Sequence, residues 1–243
     1  MVCSSFRLIS RISPTFCRTR RACGFTLVEL LVVIAILGIM MAVVAPSLPS
    51  MLGAKAIGKA ANEVAAVLER ARAEAMSRRT YVYVGFLNST NAAGNSELRI
   101  GAVASLDGTS NTTTANLRAL TRVLPVENIQ MTDLSGLPPS LSQKATKKDP
   151  GLTNTDFVSG FTFRLPTIYD PTSKKSFKGF EDAPVLIISP QGELLPDAAS
   201  FSFLPSASIG LIPTRKGEAI KNSSDGAIVT YRGGSGRIEI TRP

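Results

Sequence analysis

The residue best placed to do chemistry is Glu29, the only ionisable side chain in the apolar run FTLVELLVVIAILGIMMAVVA at residues 25–45. A carboxylate in hydrocarbon costs roughly 3 kcal/mol unless it is paired, and such residues usually have a function. If the chain were cut after Gly24, the new amine of Phe25 could pair with Glu29 of a neighbouring copy. That ion pair would favour assembly. The alternative is that Glu29 lies at headgroup level, as an acidic residue that the helix dipole favours in a first turn.

The apolar run predicts a single membrane-spanning helix. At about 1.5 Å per residue, a 21-residue helix is about 30 Å long, which matches the hydrocarbon core of a bilayer. Residues 1–24 carry five arginines and no acid, which predicts a cytoplasmic N-terminus and an exported remainder. Cleavage of a secretory signal near Ala45 is a weaker alternative, because the run is longer than an ordinary signal. Acylation at Cys23 is excluded, since a basic segment and not an apolar one precedes it.

Composition argues against an enzyme. The chain has no His, and its three cysteines are Cys3, Cys17 and Cys23, so residues 25–243 lack imidazole bases and thiols. No G-x-S-x-G or phosphate-loop pattern is present. Asp149, Asn154 and Asp156 offer oxygen atoms, but their spacing is not that of a calcium loop. We therefore expect no catalytic residue, no metal and no cofactor.

A second helix is predicted after the apolar run. Apolar residues recur at steps of three and four, which is typical of an amphipathic helix that packs on a core; they are Ile57, Ala60, Val64, Leu68, Ala71 and Ala75. Oppositely charged residues lie four apart at Lys59–Glu63, Arg70–Glu74 and Glu74–Arg78, which predicts three ion pairs. Two prolines, Pro46 and Pro49, predict a bend near residues 46–50.

Strand-like segments follow the helix, at residues 81–87, 97–104, 117–124, 184–189, 208–213, 226–231 and 236–241. One long helix followed by strands predicts an α+β fold in which an antiparallel sheet packs on the helix. We expect Leu68, Ala71 and Ala75 to make that contact. Residues 107–116 and 125–183 are predicted to be long irregular loops, because they are rich in Pro, Gly, Ser and Thr; 12 of the 15 prolines lie at or beyond residue 125.

The sequence GFTLVELLVVI at residues 24–34 resembles the class III signal of type IV pilins and type II secretion pseudopilins. The resemblance implies cleavage after Gly24 by prepilin peptidase, N-methylation of the Phe25 amine and use of Glu29 in assembly. It also implies a helix kink at Pro46. The leader of 24 residues is longer than the few residues typical of pilins.

The remainder resembles the head of H-type minor pseudopilins and of FimT minor pilins. Three segments carry this resemblance: LERARAEA at 68–75, IISPQG at 187–192 and GRIEI at 236–240. It implies a pilin-like fold: a leader at 1–24, a transmembrane and assembly helix at 25–46, a stem helix at 47–79 and a β-rich periplasmic head at 80–243. The last two strands would form a hairpin around Gly233–Gly236, where glycine permits a tight turn.

The resemblance implies a structural subunit and not an enzyme. Its expected partners are prepilin peptidase, other pseudopilins or pilins, and an inner-membrane assembly platform. The expected location is the inner membrane, with one span and a periplasmic head, followed by a pseudopilus that serves protein secretion or by a surface pilus. The alternative is a signal-anchored membrane protein with a β-rich outer domain.

A further alternative is a minor pilin that binds DNA for uptake. FimT-like proteins carry arginines two apart after a glycine near the C-terminus. Here Gly236-Arg237 matches, but Glu239 stands where the second arginine is expected. Other cations lie nearby at Arg232 and Arg242. Two lysine clusters, at 144–148 and 174–178, predict either a solvated surface or an anionic ligand such as DNA.

Overall fold

The computed structural model describes residues 26–44, 48–162, 169–170, 175–176, 180, 183–197, 202–220 and 225–243. The chain divides into two compact units, residues 1–46 and 47–243. The first unit contains one helix, α1 (Leu27–Val44). Leu, Val, Ile and Met occupy all sides of α1, so it has no polar side of the kind that a surface helix turns to water.

The second unit begins with α2 (Leu48–Arg78), a helix of 31 residues. Pro49 lies in its first turn, where a missing N–H costs no helical hydrogen bond. Arg79 adopts a left-handed conformation with φ of 51°, and the Thr80 N–H donates to the Ala75 carbonyl at 3.0 Å. This is the pattern of a Schellman cap, which satisfies carbonyls at the helix end.

Two antiparallel sheets and a third helix follow α2. The elements are β1 (Val82–Thr90), β2 (Ser96–Ser105), β3 (Leu117–Ala119), β4 (Leu124–Glu127), β5 (Ile129–Thr132), α3 (Pro139–Lys148), β6 (Tyr169–Asp170), β7 (Lys175–Ser176), β8 (Val185–Ile188), β9 (Leu194–Leu195), β10 (Ser206–Arg215), β11 (Glu218–Ala219), β12 (Ala227–Arg232) and β13 (Ile238–Thr241). The first sheet has the order β3-β2-β1-β8-β9, with β4 also pairing with β2. The second has the order β11-β10-β12-β13, with β5 pairing with β10, and β6 and β7 form a separate hairpin. The predicted α+β class with a long helix and antiparallel strands is confirmed.

The main core lies between α2 and both sheets. All six predicted stripe residues of α2 are buried, together with Ala61 and Ala65, and they pack with apolar residues of both sheets such as Val84, Ile209 and Val229. The predicted packing stripe is therefore confirmed. The single sheet that we expected is instead two sheets.

The outer side of each sheet is covered by a smaller cluster. On the first sheet, Phe180 packs with Tyr83 and Ile187, and it lies directly over Gly85, where a Cβ would come within 2.8 Å of its ring. On the second sheet, Leu141 and Ala145 of α3 pack with buried apolar residues. Both sheets therefore bury apolar side chains on two faces.

Two segments differ from the sequence prediction. The strand expected at 117–124 is broken, because β3 and β4 pair with different parts of β2 and residues 120–123 bulge between them. The segment 125–183 is not uniformly irregular, since it contains most of β4, all of β5, α3 and two short 3-10 turns. The prediction of a loop was wrong at α3, because Pro138 and Pro139 lie at the start of this helix, a position that proline favours.

Two of the three predicted ion pairs on α2 form. Lys59 Nζ lies 3.6 Å from Glu63 Oε1, and Arg78 Nε lies 2.6 Å from Glu74 Oε1. The expected Arg70–Glu74 pair was wrong: the same Glu74 oxygen accepts instead from Arg118 Nη2 at 2.9 Å. Arg118 lies on β3, so this tertiary contact replaces the local one.

Candidate functional site

The start of α1 is built around Thr26 and Glu29. The Glu29 N–H donates to Thr26 Oγ1 at 3.2 Å, and the Leu30 N–H donates to the Thr26 carbonyl at 3.2 Å. Thr26 therefore caps the helix, and Glu29 is in the first turn, where the positive end of the helix dipole favours a carboxylate. The T-x-x-E spacing is that of a capping box.

Every residue from 26 to 42 is exposed. Leu27, for example, is 79% exposed and Met41 is 72% exposed. An apolar helix that is uncovered on all sides exposes far more hydrophobic surface than a stable free protein usually does. The exposed surface of α1 is therefore a surface for contact with other apolar groups, with Glu29 as its only charge.

Among the residues that the structure describes, no helix is both long and apolar enough for a membrane crossing.

Three of the predicted site residues lie outside the described residues: Gly24 and Phe25 at the predicted cleavage and methylation site, and Pro46 at the predicted kink. The lysine cluster at 174–178 also falls on residues whose side chains are not described. Glu29 is the one predicted assembly residue that the structure places.

The three C-terminal arginines contact acidic residues or backbone carbonyls. Arg232 Nη1 lies 2.9 Å from Asp149 Oδ2 and Arg237 Nε lies 3.5 Å from Glu239 Oε1. Arg242 lies against α2, where its Nη2 donates weakly to the Gly58 carbonyl at 3.5 Å. Arg232 and Arg242 therefore help to hold the β12–β13 hairpin against α3 and α2, while the Arg237 side chain is 75% exposed.

The fold brings α3 to this C-terminal hairpin. Lys148 Nζ donates to Glu239 Oε2 at 2.6 Å, and Lys144 Nζ donates to the Arg242 carbonyl at 2.6 Å. The hydrogen bond from Lys148, aided by the positive charges of Lys148, Arg232 and Arg237, holds the pKa of Glu239 below its usual value. Glu239 therefore remains a carboxylate at neutral pH.

Arg72 is a residue that the sequence analysis did not single out. Its Nη1 donates to the Gly236 carbonyl at 3.1 Å and its Nη2 to the Ser235 carbonyl at 2.9 Å. A Cβ on Gly236 would collide with the guanidinium, and one on Gly192 would lie 3.0 Å from its Nε. The three segments that carried the head resemblance thus meet at Arg72. Glycines at two separate turns were the available signal, since close approach of a side chain is one reason for glycine.

Two buried tyrosines report on the packing of the head. Tyr231 Oη donates to the Gly192 carbonyl at 2.7 Å, and burial raises its pKa to about 12. Burial also raises the pKa of Tyr83. Neither phenol ionises at neutral pH, so both are structural groups of the core.

The oxygen-rich residues considered for calcium make contacts within the chain. Asp149 pairs with Arg232, and Asp156 Oδ2 accepts from the Thr153 N–H at 2.7 Å and from Thr153 Oγ1 at 2.8 Å. Among the described residues no group of three acidic, His or Cys side chains is arranged to hold a metal ion.

Comparison with known families finds the prokaryotic N-terminal methylation motif at residues 19–45. This motif is the class III signal of type IV pilin-like proteins. No curated protein and no solved structure matches the chain. The motif indicates a structural, pilin-like protein that is exported with its N-terminal segment as a membrane anchor. Such a signal implies processing by a prepilin peptidase and assembly with other pilins.

Proposed function

We propose that this chain is a minor pseudopilin or pilin, a structural subunit of a type II secretion pseudopilus or of a type IV pilus-like fibre. The observation that carries the proposal is α1, an apolar helix that lies within the methylation motif and whose residues are exposed from 27 to 42. A helix of this kind needs a lipid or protein environment, and a fibre core built from several such helices supplies one.

The proposed pathway begins in the inner membrane. The run at 25–45 spans the bilayer once, with the leader at 1–24 in the cytoplasm and the head at 80–243 in the periplasm. Prepilin peptidase cuts after Gly24 and the Phe25 amine is methylated. An inner-membrane platform then assembles the subunit with other pseudopilins through residues 25–46, with a kink at Pro46, while the stem at 47–79 carries the head.

Glu29 has a specific role in this proposal. Its carboxylate pairs with the Phe25 amine of a neighbouring subunit, so that the energetic cost of a charge in hydrocarbon is relieved only on assembly. The exposed position of Glu29 in the first turn of α1 supports this role, because the carboxylate is available to a second chain.

The first experiment is mass spectrometry of the N-terminal peptide from membranes of cells that contain prepilin peptidase. An N-methylated Phe25 is the expected result. A chain that still begins at Met1 would indicate a signal-anchored membrane protein instead, and a cut near Ala45 would indicate a secreted one. Either result would end the assembly proposal.

The second experiment compares Glu29→Ala with Glu218→Ala, a change at an exposed acid of β11. We expect both variants to be cleaved normally and only Glu29→Ala to be lost from sheared fibres or cross-linked assemblies. Normal incorporation of Glu29→Ala would contradict the pairing role.

A second candidate function is DNA binding for uptake. It is supported by the position of α3, whose Lys144 and Lys148 contact the hairpin that carries Arg232, Arg237 and Arg242. Lys147 is exposed on the same helix, and Asp149 and Glu239 are the acids among these cations. A gel-shift titration at low salt, with Arg237→Ala and Lys147→Ala, tests it. Binding that both variants weaken favours this function, and no shift by the wild-type chain excludes it.

A further inference from the structure

A groove runs along one side of α2. Its volume is about 560 Å³, and its walls are Glu63, Ala66, Val67 and Arg70 of the helix, Leu120, Thr121 and Arg122 of the bulge between β3 and β4, and Leu124 at the start of β4. We call these eight residues the basic groove. Four of them are apolar and form a strip between the charged side chains.

The outer wall of the basic groove is fixed by hydrogen bonds to β2. The Leu120 N–H and the Thr121 N–H both donate to the Ala102 carbonyl, at 2.9 and 3.3 Å. The Ala102 N–H in turn donates to Thr121 Oγ1 at 3.2 Å. A preformed wall lowers the ordering cost of binding, so the groove is suited to a partner.

Two arginines of the basic groove lack an acidic partner. Glu74, which the sequence spacing paired with Arg70, contacts Arg78 and Arg118 instead. In the part of the chain that the structure describes, neither Arg70 nor Arg122 forms an ion pair, while Glu63 pairs with Lys59 at 3.6 Å. The groove therefore combines an apolar strip with two uncompensated positive charges.

The spacing of the α2 residues in the basic groove indicates the shape of the partner. Residues 63, 66, 67 and 70 are separated by three, one and three positions, so they lie on one side of two helical turns. Among them Ala66 is small and exposed. Such a surface accepts a second helix by ridge-into-groove packing. The fitting occupant is a helix with an apolar stripe and a carboxylate.

An adjacent exposed side of α2 carries such a stripe. Glu69, Ala73 and Met76 are all exposed and lie four and three residues apart, and Met76 is 47% exposed. We call these three residues the acidic ridge. Glu69 forms no ion pair with any described residue. Arg72, three residues further along the helix, is held by the carbonyls of Ser235 and Gly236.

We propose that the acidic ridge of one copy packs into the basic groove of a second copy. Glu69 then lies between Arg70 and Arg122, and Ala73 and Met76 cover the apolar strip. Groove and ridge are different patches of the surface, so the contact joins unlike patches, and one copy has a patch for each of two neighbours. The inference rests on the proposed assembly function and adds to it a stem-to-stem contact separate from α1.

Cysteine cross-linking of the full chain tests this contact. The leader cysteines are first changed (Cys3→Ser, Cys17→Ser and Cys23→Ser), which leaves no other thiol. Two differently tagged copies, one with Val67→Cys and one with Ala73→Cys, are then produced together and oxidised in the membrane. We expect the mixed 67–73 dimer to exceed each like-with-like dimer by about fivefold.

A Glu218→Cys copy paired with Val67→Cys is the matched control, because residue 218 is exposed and lies on β11. Mixed dimers no more abundant than this control, or equal yields of mixed and like-with-like dimers, would overturn the proposal. Either result would mean that the two sides of α2 do not meet.

Charge reversal supplies a second measurement on the same cross-linked pair. Glu69→Arg in the ridge copy, or Arg122→Glu in the groove copy, should lower the mixed dimer about fivefold, and the two changes together should restore it. Arg215→Glu, at an exposed residue of β10, should change nothing. Loss without restoration would contradict the Glu69–Arg122 contact.

The cross-linking result can be distinguished from the mass-spectrometry test of the proposed function. If Phe25 is methylated and no mixed dimer forms, the stem contact is wrong and the pilin pathway stands. If the chain keeps its leader, the pilin pathway falls, and the cross-linking in membranes still decides whether stems associate.

Discussion

The two long helices of this chain differ in how their apolar residues are distributed and in what buries them. In α2, eight apolar residues on one side are buried by two sheets of the same chain, and charged residues occupy the other sides. In α1, every residue from 26 to 42 is exposed. A helix with one apolar side can therefore stabilise its own domain, whereas a helix that is apolar on all sides needs an external partner.

Mutations in the two helices should therefore change different properties of the protein. Substitutions in the buried side of α2 should lower the free energy of unfolding of the head. Substitutions in α1 should leave that free energy unchanged and act on insertion or assembly. Unfolding of the detergent-solubilised full chain can be followed by the fluorescence of the buried tyrosines Tyr83 and Tyr231. This readout tests whether α2, and not α1, contributes to the stability of the head.

The largest effect is expected from Leu68→Ala. Leu68 is fully buried between α2 and the sheets, and removal of a leucine side chain from such a core costs about 3 kcal/mol. Its control is Leu37→Ala on α1, where the leucine is 54% exposed and the unfolding midpoint of the head should not move. Equal destabilisation by both changes would contradict the division between the two helices.

The next effect is expected from Arg72→Met, which keeps an unbranched side chain but removes the donors to Ser235 and Gly236. Hydrogen bonds to charged groups are worth about 2 kcal/mol, so urea denaturation should show a loss of that size. Arg70→Met, two residues away and without an ion-pair partner among the described residues, should change stability by less than about 0.5 kcal/mol. Equal effects would mean that Arg72 does not secure the hairpin.

The helices and most strands were predictable because their signals are local. The burial stripe of α2 follows from the spacing of Ile57, Ala60, Val64 and Leu68, and the β12–β13 hairpin follows from the glycines at 233–236, of which Gly236 has φ of 64°. The turn closes with the Arg232 N–H donating to the Arg237 carbonyl at 2.9 Å. These features depend on neighbours within a few residues.

The missed features depend on residues far apart in the chain. Glu74 contacts Arg118, which is 44 residues away in the sequence, and Arg72 contacts Gly236, which is 164 residues away. No local pattern therefore predicts either contact. The loop at 107–116 is another case: Asn116 donates to Asp107 and Ser105, and hydrogen bonds, first from Thr109, hold the pKa of Asp107 below its usual value. Polar composition predicted a loop there but not its internal order.

A smaller effect is expected at Asn88, which joins the two sheets. Its Nδ2 donates to the Met131 carbonyl at 2.9 Å, and its Oδ1 accepts from the Met131 N–H at 2.8 Å. Asn88→Ala should cost about 1 kcal/mol, because two modest hydrogen bonds are lost near solvent. Asn88→Asp can accept but not donate, so it should lose part of that amount. A single cooperative transition in all variants would indicate that both sheets unfold together with α2.

The smallest effect is expected from Glu239, and its sign depends on pH. The pKa of Glu239 is lowered in the folded head, first by the hydrogen bond from Lys148 and then by the charges of Lys148, Arg232 and Arg237. A carboxyl group with a lowered folded-state pKa stabilises the fold above its unfolded pKa, and this contribution is lost as pH falls towards the folded-state value. At neutral pH, Glu239→Gln should therefore be less stable than wild type by about 0.5 kcal/mol.

That difference should shrink as the pH falls below about 4.5, the ordinary pKa of the group, because protonation removes the same charge that the substitution removes. Urea denaturation of both proteins across this range measures it, and subtraction of the two curves cancels the other carboxylates. Glu29→Gln, in the first turn of α1, should give no difference at any pH. A pH-dependent difference for Glu29→Gln would show that the charge of α1 contributes to the stability of the head, and the division between the two helices would then fail.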